Sequence, residues 1–76
     1  MLAVGVAERL EIVAEGDGWL VSDQRHAPRR YLSSQEAIAM ATFEARRMAA
    51  EGTRVEVHLW RDGYSEVVFR AEAKAK

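Results

Sequence analysis

The chain has no cysteine, only one proline and no long apolar run, and each shortage removes a class of explanation. Without cysteine there is no disulfide, no thiolate nucleophile and no Cys-ligated zinc site, which fits a reducing compartment; a cytoplasmic location is expected. The most apolar opening, MLAVGVA, lacks a basic start and stops at Glu8 and Arg9. It is too short for a signal core or a membrane span, so no membrane partner is expected. Charge of one sign is missing too: 11 Lys plus Arg stand against 12 Asp plus Glu, for a formal net charge of -1. No whole-molecule field therefore draws the protein onto nucleic acid, and any charge-driven binding has to be local. At 76 residues there is room for one domain and one core.

What is present speaks mainly of architecture. Residues 10–22, LEIVAEGDGWLVS, carry two apolar-rich runs around Gly16-Asp17-Gly18, a hairpin signal. A loop from Glu15 to Gly18 sets Ala14 opposite Trp19 and Ile12 opposite Val21, collecting Leu10, Ile12, Ala14, Trp19 and Val21 on one face. A two-residue Asp17-Gly18 turn sorts the faces less cleanly. The next stretch, DQRHAPRRYL, has no apolar period and reads as a loop.

Ser33-Ser34-Gln35-Glu36 has the S-x-x-E spacing of a capping box, with Leu32 before it as a hydrophobic staple. The segment through Glu51 is rich in helix formers, and Gly52 supplies a left-handed stop. At about 100° per residue, Ala37, Ile38, Ala41, Ala45, Met48 and Ala49 share one stripe, while Phe43, Ala39 and Ala50 point nearly the opposite way.

A second hairpin follows in VEVHLWRDGYSEVVF. A three-residue loop, Arg61 to Gly63, with Gly63 as a bulge, sets Trp60 opposite Tyr64 and His58 opposite Glu66, and puts Val55, Val57, Leu59, Val67 and Phe69 on one face. The expected fold is α+β: a two-layer β-β-α-β-β domain over residues 10–70, with a four-stranded, largely antiparallel sheet and one helix on one face. Residues 1–9 form an N-terminal segment and 71–76 a polar tail. If the hairpins meet through their first strands, every neighbouring pair is antiparallel.

Three of these elements, Gly18-Trp19-Leu20-Val21, Glu36-Ala37-Ile38-Ala39-Met40-Ala41, and Val55-Glu56-Val57-His58 with Asp62-Gly63, together resemble a group of small bacterial domains of unknown function. The group's pattern is a G-W-x-V strand, an E-A-I-x-x-A helix and a V-x-V-H strand followed by D-G. The resemblance covers roughly residues 10 to 64, rests on core and turn positions, and implies the topology alone.

Three features compete for function. His58 facing Glu66 is the minimum for acid–base work, but no third group joins them, and a cross-strand polar pair is the simpler reading. Two histidines on different elements, His26 and His58, lack zinc-ligand spacing, and no glycine run cradles a phosphate, so neither catalysis nor a cofactor is expected. The basic loop Arg25, Arg29, Arg30 and Tyr31 suits phosphates and base stacking, yet Asp23 and Glu36 border it; nucleic acid is the lesser alternative. The third feature is apolar exposure. Val13, Leu20, Trp60, Tyr64 and Val68 on the sheet face away from the helix, with Phe43 on the helix, are expected to form an interface, most simply of a two-fold homodimer. The plain alternative is that Trp60 and Tyr64 cover the hairpin end or lie under MLAVGVA.

Overall fold

The computed structural model describes residues 7–23 and 26–73. Five strands and one helix follow in the order β1 (Glu8–Glu15), β2 (Gly18–Ser22), β3 (Arg29–Tyr31), α1 (Ser34–Ala50), β4 (Val55–Arg61) and β5 (Tyr64–Ala71). The sheet order is β3-β2-β1-β4-β5, with β1 and β4 parallel and the other neighbours antiparallel. The α+β class holds, but the sheet is five-stranded and mixed rather than four-stranded and largely antiparallel.

The correction has a single cause, the three residues Arg29–Tyr31. The segment read as a loop pairs with β2 through Trp19↔Tyr31, Leu20↔Arg30 and Val21↔Arg29. That short strand adds one reversal before the helix, so the chain leaves α1 in the direction of β1 instead of against it. The hairpins do meet through their first strands, as β1 and β4, but side by side in the same direction. Gly18 lets β3 come this close: a Cβ there would sit 3.0 Å from the Tyr31 carbonyl oxygen and 2.9 Å from Arg30 Nε.

The first hairpin has the expected register, with Ala14 opposite Trp19 and Ile12 opposite Val21. Its turn is Gly16-Asp17, closed by Glu15 and Gly18, with the first turn residue, Gly16, at φ +61°. Glycine-first two-residue turns match the twist of the strands they join. The second hairpin departs from expectation. Arg61 pairs with Tyr64 around a two-residue turn in which Asp62 and Gly63 have φ of 49° and 85°, the doubly left-handed form that Asp-Gly favours. Trp60 therefore faces Ser65, His58 faces Val67, and Glu66 faces Leu59. The extra residue lies further along at Val68, where the register jumps from His58↔Val67 to Val57↔Phe69. This bulge restores Phe69 and Ala71 to the helix side and turns Val68 onto the core as well.

Helix α1 begins as its capping sequence predicts, Ser33 Oγ accepting from the Glu36 N–H at 3.1 Å. The Glu36 carboxylate makes no reciprocal bond, and Leu32, 81% exposed, does not act as a staple. At the other end Gly52 takes φ +100°; its N–H donates to the Ala49 carbonyl and that of Thr53 to the Met48 carbonyl, the paired closure of a glycine-terminated helix. Ala37, Ala41, Ala45, Met48 and Ala49 lie buried against Leu10, Ile12, Val21, Val55, Val57 and Leu59. Small side chains on the helix bring its backbone close to the sheet, so the branched strand residues supply most of the apolar burial. Glu44, also buried, is held by Arg47.

Candidate functional site

The helix covers one face of the sheet, and alternation along the strands decides what the other face carries. In the row nearest the two turns that spans all five strands stand Arg30, Leu20, Val13, Trp60 and Ser65, one from each strand in spatial order. Leu20, Val13 and Trp60 make its apolar centre; Val13 is 39% exposed and the other two are half-buried. The next row carries Ser22, Glu11, His58 and Val67, and the one beyond it Arg9, Glu56 and Arg70.

These polar side chains are mutually engaged. Trp60 Nε1 donates to Glu11 Oε1 at 2.8 Å, and Arg9 lies 3.5 Å from the other oxygen of that carboxylate. Arg9 Nη2 is 3.0 Å from His58 Nδ1, and because a guanidinium only donates, Nδ1 is the acceptor. His58 Nε2–H then donates to Glu56 Oε1 at 2.9 Å, while Arg70 Nε donates to Glu56 Oε2 at 3.4 Å. The network balances two carboxylates against two guanidiniums around one imidazole.

The bond from His58, opposed by partial burial and aided by Arg70, holds the Glu56 carboxyl below its ordinary value of 4.5. A carboxyl whose folded value is lowered stabilises the fold fully above its unfolded value, and that contribution is lost as pH falls through the folded one. Urea midpoints measured on a descending pH series should therefore fall below about pH 4.5. In Glu56→Gln that acid limb should be shallower; an unchanged limb would show that the carboxylate is not held this way.

The expected residues separate accordingly. Val13, Leu20 and Trp60 come together as read from the sequence. Tyr64 does not join them: it pairs with Arg61, on the side of Leu59, and is 58% exposed at the hairpin end. Val68 packs on the core through the bulge. Phe43 stands on the outer side of α1, 63% exposed. Glu66 is opposite Leu59, so it faces away from His58, whose carboxylate partner is Glu56.

In the basic segment, Arg30 is bound to Asp17 at 2.8 Å and Glu15 at 3.3 Å, and Tyr31 packs against the core beside Trp19. Arg29 is exposed on the edge strand. Arg25 lies outside the described residues, as does the stretch of MLAVGVA through Val6 that was set against Trp60. His26 bonds locally to Asp23, its backbone N–H donating to Oδ1 at 2.7 Å.

Sequence reasoning overlooked Arg9, Glu11, Glu56 and Arg70. Alternation along VEVHLW was a usable signal for Glu56, since it places Glu56, His58 and Trp60 on one face. Arg9 and Glu11 join them only through the parallel β1–β4 register.

Two open depressions of about 350 and 360 Å³ flank Trp60 at the turn end of the sheet. Both are bordered by Ala14, Arg61 and Asp62; one reaches Trp19 and Ser34, the other Glu11 and Val13. His58 lines neither of them. Among the described residues no group of three or more His, Asp or Glu is placed to hold a metal ion, and no helix is long and apolar enough to cross a membrane. Comparison of the chain with protein-family models, with curated proteins and with solved structures finds no match.

Proposed function

We propose that this chain is a small non-catalytic interaction module of the cytoplasm that self-associates, as a two-fold dimer, through the helix-free face of its sheet. The observation that carries the reading is the row Leu20, Val13 and Trp60, three adjacent apolar side chains spanning three strands and left without a covering layer among the described residues. Trp60 has the profile of an interface anchor, a large ring whose N–H is already satisfied by Glu11. Pairing through the sheet edges is the competing geometry, and both edges are guarded. β3 is three residues long, carries Arg29 and Arg30 and follows Pro28; β5 is broken by the Val68 bulge. The self-neutralised network of Arg9, Glu11, Glu56, His58 and Arg70 suits the polar rim of such a contact.

Sedimentation equilibrium tests it. The chain should show a concentration-dependent dimer, and Val13→Lys should weaken that dimer by about tenfold to a hundredfold, roughly 1.4 to 2.8 kcal/mol, while keeping the monomer's unfolding transition. Trp60→Asp should act in the same direction. A strictly monomeric mass at high concentration, or an unchanged dimer in Val13→Lys, would remove the proposal. Binding to nucleic acid is less well supported, because the charge of Arg30 is already met by Glu15 and Asp17.

A further inference from the structure

The sheet face leaves the outer side of α1 unused. Glu36, Ala39, Phe43, Arg46 and Ala50 recur at alternating spacings of three and four residues, and all five are exposed. At about 100° per step they form one stripe pointing away from the sheet. Phe43, 63% exposed, stands at the middle of this stripe. A shallow groove of about 350 Å³ runs beside it, lined by Ala39, Thr42, Phe43 and Arg46.

The ionic partners on this helix leave a second mark. Arg47 is paired with Glu44 and with Glu51, the latter at 3.4 Å. Glu36 and Arg46 have no ion pair or side-chain hydrogen bond among the described residues; Arg46 only rests over the Phe69 ring, 5.4 Å from its centroid. One carboxylate without an ionic partner among the described residues and one guanidinium held only by the Phe69 ring thus belong to positions near opposite ends of the same stripe, with Ala39 and Phe43 between them. To reach a second copy Arg46 has to swing off that ring.

We propose that this stripe is a second self-association surface, on which two copies lay α1 against α1 in antiparallel fashion about a two-fold axis level with Ala41. Positions 36 and 46 are equidistant from 41, and so are 39 and 43. In that register each Phe43 enters the gap left by Ala39 of the second copy, and each Glu36 meets Arg46 of the second copy. Every contact occurs twice, as a two-fold interface requires. The alternating spacing is that of a helix-pair seam, and a large side chain facing a small one is how such seams interdigitate.

Other arrangements are worse on the same criteria. Parallel helices would set Glu36 against Glu36 and Arg46 against Arg46. Moving the axis to the level of Phe43 would oppose the two rings and set Glu36 toward Ala50 and Arg46 toward Met40, so that neither charge meets its opposite. Because the stripe and the sheet face lie on opposite layers, this contact is independent of the sheet-face dimer, and at concentrations high enough to fill both surfaces the unmodified chain assembles beyond the dimer.

The test is a charge exchange in the full chain carrying Val13→Lys, so that the sheet face does not contribute. That chain should still dimerise at high concentration in sedimentation equilibrium. Glu36→Arg alone and Arg46→Glu alone should each weaken the dimer by about tenfold or more, because like charges then meet at both contacts. An equimolar mixture of the two variants should dimerise more tightly than either alone, since opposite charges face each other at both contacts of the mixed pair. Phe43→Ser should abolish the dimer in this background, with circular dichroism confirming a folded helix in every variant. A mixture no tighter than its separate components overturns the proposal, as does a Val13→Lys chain that remains monomeric at millimolar concentration or an unaffected Phe43→Ser dimer.

Discussion

Replacing Leu59 with alanine should remove about 3 kcal/mol of folding stability, within the roughly 2 to 5 kcal/mol typical of buried Leu→Ala changes. Leu59 is 1% exposed, on a strand paired on both sides and covered by the helix. The core around it contains few large side chains, because four of its buried residues are the alanines 37, 41, 45 and 49. Leu10, Ile12, Leu59, Val55 and Val57 are the largest fully buried side chains, so Leu59 supplies a substantial part of the fully buried volume. At about 0.05 to 0.15 kcal/mol per residue, a chain this short has total stability on the order of 4 to 11 kcal/mol. The loss is therefore a large share of the whole. A urea titration should show a much lower midpoint at an unchanged slope, with Phe43→Ala, measured at low concentration, shifting stability by less than about 0.5 kcal/mol. A Leu59→Ala loss below about 1 kcal/mol would mean that the core is not centred on this strand.

The second large effect should come from adding volume. Ala41 has no exposed surface and sits where α1 lies over the sheet. Ala41→Leu inserts a branched side chain into the helix–sheet contact, which must open or force strained rotamers, at a cost of about 1 to 3 kcal/mol. The same change at exposed Ala39 should be nearly neutral in the monomer, since leucine is almost as good a helix former as alanine. Thermal unfolding followed by circular dichroism separates the two. Equal midpoints for Ala41→Leu and Ala39→Leu would contradict a close approach of α1 to the sheet.

These predictions rest on parts of the fold that differ in how far the sequence revealed them. The helix was legible at both ends, because Ser33 and Gly52 act on their own neighbours and depend on nothing distant. The first hairpin was legible because one register alone gathers Leu10, Ile12, Ala14, Trp19 and Val21 on a single face. The second hairpin was misread for an instructive reason. The apolar pattern of β4 and β5 contains one surplus residue, and pattern alone does not say where along the ribbon it is absorbed. Placing it at Gly63 satisfied the alternation, whereas the chain absorbs it at Val68 and keeps the tight Asp62-Gly63 turn. That shift took Tyr64, Glu66 and Val68 away from the face to which they had been assigned.

The candidate surface divides in the same way. Val13, Leu20 and Trp60 were foreseeable, since each is fixed by alternation from a well-defined core neighbour. The partners of His58 were not, because Arg9 reaches it across a parallel pair that exists only once β3 has reversed the chain.

Composition and local pattern by themselves determined the α+β class, the extent and buried stripe of the helix, the first ribbon's register and the outward placement of Phe43. All of these depend on interactions between residues a few positions apart. Tertiary structure alone decided the fifth strand, the direction of β4 beside β1, the site of the bulge and the network joining Glu11 to Trp60 and Arg9 to His58. A three-residue strand such as Arg29–Tyr31 has almost no intrinsic preference for its conformation; it pairs because β2 offers an open edge and Gly18 lets it come close.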